Sequence, residues 1–575
     1  MKHIFSVTLF IVIVLLFTAP TLSLAAGDTL VVYAKGPTLD KVIMGDTLAN
    51  GTKAHHVYLL VSTDTTYLFD ATITTNSNIA VIGVPNATTG RPPCIQPDVL
   101  GDGSIPGLLF TLSGPNTNGT FKNLYLLGIA INNSVNYGGG QAIQISADGI
   151  RLVADKVIFE QWSQFAIGYS ANMDKFIITN CKFRNMTTQP TQYYVGEVLR
   201  NENYIGAFKT DSTVLRGNTM LCVSGYATAA TGGMVTYYEF SHNNVVYTFK
   251  NLFFLDRIVN AKFDNNIFYG VYSGGQNKAE FSGGWDSFTA GTVASIITMG
   301  PLDSTTAAAF DPADIGNPNL IALAGAKRKV EVKNNAYFWP AALTSYWKSW
   351  DDTSHVDSIY TPVFMNSQSV GMFSSSATPG FVQSGNQNTD PGFGASIPNV
   401  LTQSTNGLLN WFKAVRTGVG TTQLYGYQIT QVGTAANWTP PWPLPEATDM
   451  KYTNATLKAS STDGTPLGDP NWFGIATEVK KDPGLLPQQF SLSAAYPNPF
   501  NPSTNIQYTL NSSGLTSLKV YNVLGQLVKS VVNDVFQNAG AYKVTVDMSN
   551  LPSGLYVYTL EQGNSRLAQK MMLLK

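Results

Sequence analysis

From about residue 28 to residue 270 the chain alternates short apolar stretches with Gly, Asn, Asp and Ser, with almost no 3.6-residue periodicity. That pattern predicts strands. Within it an Asn recurs, followed three residues later by a bulky apolar side chain. The copies are Asn123-Leu124-Tyr125-Leu126, Asn180-Cys181-Lys182-Phe183, Asn218-Thr219-Met220-Leu221, Asn244-Val245-Val246-Tyr247, Asn265-Asn266-Ile267-Phe268 and Asn335-Ala336-Tyr337-Phe338. Lys156-Val157-Ile158-Phe159 is a related rung without the Asn. The nearer copies stand roughly 20 to 40 residues apart, the interval expected when one repeat is one coil of a solenoid plus a variable loop. A single coil cannot bury its own apolar face, whereas stacked coils bury a continuous core and pair every strand with the coils above and below. Asn suits the corners because it tolerates left-handed backbone angles and stacks in amide ladders. A propeller would show four strands per period, and a sandwich would not repeat an Asn-led strand at this interval. The expected body, residues 27–476, is therefore all-β and a parallel β-helix.

The texture changes over about 339–476, which hold seven of the nine tryptophans: Trp339, Trp347, Trp350, Trp411, Trp438, Trp442 and Trp472. Such aromatics either seal the open end of a solenoid or stack on sugar rings, and a sealing cap is the expected role. Residues 477–489, with Lys480-Lys481-Asp482-Pro483-Gly484, are polar and predicted to be a linker. Residues 490–575 return to alternation, including Leu518-Lys519-Val520-Tyr521, Tyr542-Lys543-Val544-Thr545-Val546 and Leu555-Tyr556-Val557-Tyr558. Roughly seven short strands of this kind predict a small immunoglobulin-like sandwich. At the other end, Lys2, an apolar run over residues 9–17 and Ser23-Leu24-Ala25 predict a signal peptide spanning 1–26. Its apolar run is short of the ~20 residues a spanning helix needs, and no transmembrane span is expected in the mature chain.

Only 12% of residues are charged, and Lys+Arg 35 balance Asp+Glu 36. No field is present to gather phosphates, so nucleic acid is not expected as a partner and a glycan fits better. Cys94, Cys181 and Cys222 are too few for a disulfide framework and are expected as buried thiols.

The Asn-led rungs, Ile79-Ala80-Val81-Ile82-Gly83-Val84 and Thr389-Asp390-Pro391-Gly392-Phe393 resemble, in that order, the pectate-lyase-like superfamily. The resemblance implies a right-handed parallel β-helix. The stretch 496–575 resembles the type A sorting domain of type IX secretion substrates. It carries Tyr496-Pro497-Asn498-Pro499-Phe500, a Val520-Tyr521-Asn522 hairpin, Gly554-Leu555-Tyr556 and a last strand ending in Lys575. This second resemblance implies recognition by the type IX machinery and delivery to the outer-membrane surface or the medium, with attachment to surface lipopolysaccharide or release.

The superfamily includes lyases and hydrolases of acidic polysaccharides. A lyase needs oxygen ligands for calcium and a base to remove the proton beside the uronate carboxylate; a hydrolase needs two carboxylates at a set separation. Arg91-Pro92-Pro93 lacks the second Arg of a lyase signature, there is no Gly-His-Gly, and the histidines are few. No metal set or cofactor is expected, calcium entering only if the protein is a lyase. Charges on or beside the central rungs are the groove candidates: Lys182, Arg184, Asp211, Arg216, His242, Asp256, Arg257 and Asp264. Because neighbouring strand residues face opposite ways, only one of Asp256 and Arg257 can line a given groove. The leading expectation is a secreted surface β-helix that binds extracellular polysaccharide. The alternatives are a lyase or hydrolase of acidic glycans and a self-assembling surface-layer or filament protein.

Overall fold

The computed structural model describes residues 28–475 and 490–575, except 64, 133, 137–138, 188–194, 203–207, 231–232, 256, 284–289, 311–313, 351–358, 404–406, 419–425, 428–441, 445, 511–513, 538–539 and 563–564. The predicted signal peptide and linker lie outside the described residues. Contacts divide the chain into two compact units, Met1–Thr477 and Glu478–Lys575.

The first unit is a parallel β-helix built from three sheets, called here 1, 2 and 3 in the order the chain visits them. Sheet 1 has 11 strands, sheet 2 has 10 and sheet 3 has 7. One coil runs Arg151–Asp155 on sheet 1, Ile158–Glu160 on sheet 2 and Phe165–Tyr169 on sheet 3; the next begins at Lys175–Thr179, which pairs in parallel with the first.

The corner between sheets 1 and 2 is the most regular feature and explains the Asn pattern. Its first residue takes a left-handed backbone at Asn123, Lys156, Asn180, Gly217, His242, Asn265, Asn334 and Gly385, with φ between 51° and 66°. Asn and Gly accept that conformation at least cost. Its second residue points inward: Leu124, Val157 and Cys181 in the early coils, then Asn218, Asn243, Asn266, Asn335 and Asn386. From Asn218 onward each side-chain Nδ2 donates to the Oδ1 of the next coil's Asn, at 3.0, 3.2, 2.9 and 2.9 Å in turn. The Asn-led tetrads of the sequence therefore fall in three registers. Asn123, Asn180 and Asn265 are the left-handed residue, Asn218 and Asn335 are the rung of the ladder, and Asn244 opens the strand Asn244–Thr248.

Inside, stacking places like beside like. The inward column of sheet 2 runs Leu126, Phe159, Phe183, Met220, Val245 and Phe268, and the rings of Phe159 and Phe183 lie parallel at 4.9 Å. Cys94, Cys181 and Cys222 are free and buried, as expected. Toward the last coils, Ile297, Met299 and Phe364 join the core, with Phe364 stacked 4.6 Å from Tyr337. The tryptophans take a different place from an end plug. Trp347, Trp411 and Trp472 pack against the outer side of sheet 2, where Leu221, Val246 and Tyr269 present an apolar patch. The side chains of Trp350 and Trp438 lie outside the described residues.

The second unit pairs its strands antiparallel in a three-stranded and a four-stranded sheet. Ile506, Leu518, Val546, Tyr558 and Met571 share its core.

The ladder yields a stability prediction. Asn266 donates to Phe240 O at 2.8 Å and accepts from Asn243 N at 2.9 Å, with no exposure. Asn266→Leu strands those partners and should cost about 2–4 kcal/mol. Asn334→Gly, which keeps the left-handed backbone, should change stability by less than about 0.5 kcal/mol. Chemical denaturation of the two variants checks both values.

Candidate functional site

The outer sides of the three sheets differ in what covers them, and this decides what each charged residue can do. Lys182 and Arg184 sit on the sheet 2 strand Lys182–Met186, beneath a cover to which Glu446 and Trp472 belong. Arg184 is 1% exposed. Its guanidinium pairs with Glu160 of the preceding coil and lies 2.6 Å from Glu446 Oε1, while Nη2 donates to Glu446 Oε2 at 3.1 Å. The Tyr125 hydroxyl donates to Glu160, and Asn185 Nδ2 donates to its other oxygen at 2.8 Å. Burial works against the charge, but the two carboxylates outweigh it and raise the Arg184 pKa above its ordinary value. This closed network fastens the cover to the coils; it leaves nothing for a ligand.

Lys182 is held 4.1 Å above the Trp472 ring, and burial lowers its pKa. Beside it Asp469 accepts from Thr219 Oγ1 at 2.8 Å and from Asn471 N at 3.0 Å, yet burial pushes its pKa up to about 6.

Four further candidates lie along sheet 1, each with a partner. Asp211 faces Lys175 at 3.5 Å, Arg216 binds Glu239 at 2.6 Å, Arg257 meets Asp303 at 2.8 Å and Asp264 meets Lys262 at 3.1 Å. His242 is a buried corner residue, with Nε2 3.2 Å from Asp463 Oδ2. Asp256 lies outside the described residues. The expected residues are thus split between a covered wall, an open wall and the corner between them.

Sheet 1 is the open wall. Its outward side chains form columns through the strand register, one of which stacks Arg151, Lys175, Ser212, Tyr237, Asn260 and Lys329. The next column carries Glu239, Lys262 and Glu331, and the third carries Asp155, Arg216, Asp264 and Lys333. Exposure along this wall is uneven: the Lys262 and Glu331 side chains are 40% and 44% exposed, whereas Glu239 is 1% and Asp264 6% exposed.

Sheet 3 holds a polar cluster that the Asn-led pattern missed. On the strand Glu197–Asn201, Arg200 Nη1 donates to both Glu197 oxygens, at 2.8 and 2.9 Å. Glu202 folds over Gly168, where an added Cβ would stand 2.1 Å from its Oε1 and would displace that carboxylate. Burial raises the Glu202 pKa. The rings of Phe165 and Tyr226 flank the Arg200 guanidinium at 5.9 Å each. Three charges within Glu197-Val198-Leu199-Arg200-Asn201-Glu202, in a chain only 12% charged, were the available signal. Among the described residues no group of three or more His, Cys, Asp or Glu side chains is placed to hold a metal ion.

In the second unit the two ends of the sorting motif meet. Asn498 Oδ1 accepts from Met572 N at 2.7 Å, and Phe500 exchanges backbone bonds with Met572 and Leu574 at 3.0 Å. Phe500 and Tyr556 are buried, the Tyr556 hydroxyl donating to Pro552 O at 2.7 Å, while Tyr496 is 80% exposed. Pro497 O accepts from Thr504 Oγ1 at 2.7 Å, Asn498 and Phe500 flank Pro499, and Gly554 and Leu555 open the strand Gly554–Gln562. Lys575 returns to Ser549 O and Ser553 Oγ at 2.5 and 2.9 Å.

Residues 494–574 match the family described as the secretion system C-terminal sorting domain.

The protein is therefore exported by type IX secretion to the cell surface or the extracellular space. No curated protein and no solved structure matches the chain. No helix among the described residues is long and apolar enough to cross a membrane.

Two predictions follow from these sites. Asp469 has its folded pKa raised from 3.8 to about 6, so its contribution to stability is fully present below 3.8 and is lost as pH rises through 6. Asp469→Asn should therefore gain on the parent protein by roughly 2 kcal/mol between about pH 4 and pH 7, read from unfolding midpoints at the two pH values. Deleting residues 494–575 should leave the β-helix in the periplasm, measured by fractionation of the producing cells.

Proposed function

We propose that the exported β-helix binds an extracellular polysaccharide along the outer side of sheet 1. The observation that carries this reading is the outer side of sheet 1, partly exposed among the described residues, on which charged, amide and hydroxyl side chains repeat from coil to coil at the roughly 4.8 Å strand spacing. A regular polymer meets a regular column of donors and acceptors, and repeated weak contacts sum along the rod. Arg151, Lys175 and Lys329 share one column, and although Lys175 also faces Asp211 this run of cations favours a glycan bearing carboxylate or sulfate groups.

A second reading, hydrolysis of an acidic glycan, rests on sheet 3. There Glu202, its pKa raised, could serve as an acid while Glu197 is held by Arg200. Both are addressed by incubating the mature protein with a panel of neutral and acidic polysaccharides. Retention of an acidic glycan without new reducing ends, weakened about tenfold by Lys175→Ser with Lys262→Ser, supports binding. New reducing ends that vanish in Glu202→Gln would replace it with the hydrolase, and no retention of any glycan would remove the binding reading.

A further inference from the structure

The basic run Lys327-Arg328-Lys329 suggests an exposed surface, but its middle member is 1% exposed. Arg328 stands at the junction between the helix Leu320–Lys327 and the sheet 1 strand Lys329–Lys333. Its Nε donates to Ile258 O at 2.9 Å, its Nη1 donates to Gly300 O at 2.7 Å, and its guanidinium lies 5.0 Å from the Phe381 ring centre. Those partners are neutral. No carboxylate lies within ion-pair distance of it among the described residues, and Nη2 has no hydrogen-bond partner among them.

Four other arginines that the fold buries or half-buries are each paired with a carboxylate. Arg184 has Glu160 and Glu446, Arg200 has Glu197, Arg216 has Glu239 and Arg416 has Glu280 at 3.2 Å. Burying a guanidinium without a counter-charge costs several kcal/mol, which is why natural interiors pair it. With burial as its only cause of shift, the Arg328 pKa falls to about 10, so the group still carries its charge at neutral pH.

Arg328 also lines a cleft of about 540 Å³, within the range of small-molecule sites. Pro301, Leu302, Leu320, Ile321 and Met372 supply apolar walls, while Ser304, Asn317 and Thr378 supply polar atoms. A largely apolar cleft whose lining includes a guanidinium with no carboxylate partner among the described residues is complementary to a molecule with an apolar body and a single acidic head. A bare inorganic anion would leave the walls unfilled, and an uncharged hydrocarbon would leave the guanidinium unpaired.

We propose that this cleft is a binding site for a small amphiphilic carboxylate, whose carboxylate pairs with Arg328 and whose apolar body fills the space between Leu302, Leu320 and Met372. The site is separate from the glycan reading, and its success or failure leaves that reading untouched.

The test titrates the mature protein with octanoate and with octanamide, its uncharged counterpart, by calorimetry. Octanoate should bind at least about tenfold more tightly than octanamide, the margin expected of a charge-assisted hydrogen bond. Arg328→Met, which keeps an unbranched apolar stem, should abolish that preference, and octanoate should raise the melting temperature of the parent protein but not of the variant. Equal binding of the two compounds to the parent protein, or no octanoate binding at millimolar concentration, overturns the proposal without reference to any variant. Unchanged octanoate affinity in Arg328→Met overturns it as well.

Discussion

The β-helix depends on a two-residue corner between sheets 1 and 2. One residue must turn left-handed, at a cost of roughly 1–2 kcal/mol for an ordinary side chain, and the next must point into the interior. At Asn218, Asn243, Asn266 and Asn335 the amide has to satisfy itself at zero exposure, and it does so by bonding to the neighbouring coils. A coil displaced along or across the stack would break those bonds together with the strand ladder. The corner therefore fixes register, and register fixes everything outward of it: Phe159 lies over Phe183, Glu160 stands beside Arg184, and Arg216 reaches Glu239.

Because register stacks coil on coil, each wall acquires a character of its own, and the chain must respond to each. The outer side of sheet 2 presents an apolar patch, which a long segment returns to cover. That cover brings Glu446 to an arginine 262 residues earlier and seats Trp472 over Lys182. On sheet 1 the outward columns mix apolar residues in the early coils, such as Val153, Ile177 and Val214, with the charged residues Glu239, Lys262 and Glu331 in the later ones.

The architecture was legible in the sequence because Asn and bulky apolar residues carry it at nearly regular intervals. Its register was not, since an Asn one position earlier or later does a different job, as Asn244 beside Asn243 shows. The sorting domain was legible from Tyr496 to Lys575, although the meeting of Phe500 with Met572 and Leu574 appears only in the fold. The candidate site was hardly legible. Whether a charged rung faces a groove depends on which wall it joins and what crosses that wall, and neither leaves a local mark. Lys182 and Arg184 were singled out for lying on a rung and proved covered; Glu197, Arg200 and Glu202 lie between rungs and were passed over.

The charges on sheet 1 also limit how that wall can recognise anything. Arg216 with Glu239, Lys262 with Asp264 and Lys333 with Glu331 neutralise one another within and between columns. Long-range attraction is therefore weak, in keeping with 35 basic against 36 acidic residues over the whole chain. What remains is short-range: hydrogen bonds from amides, hydroxyls and half-exposed ammonium groups, offered repeatedly along one direction. Such a surface is poor at capturing a compact ion from solution, which agrees with the proposal of a polymeric partner. A partner of that kind is what a protein delivered outside the cell has within reach.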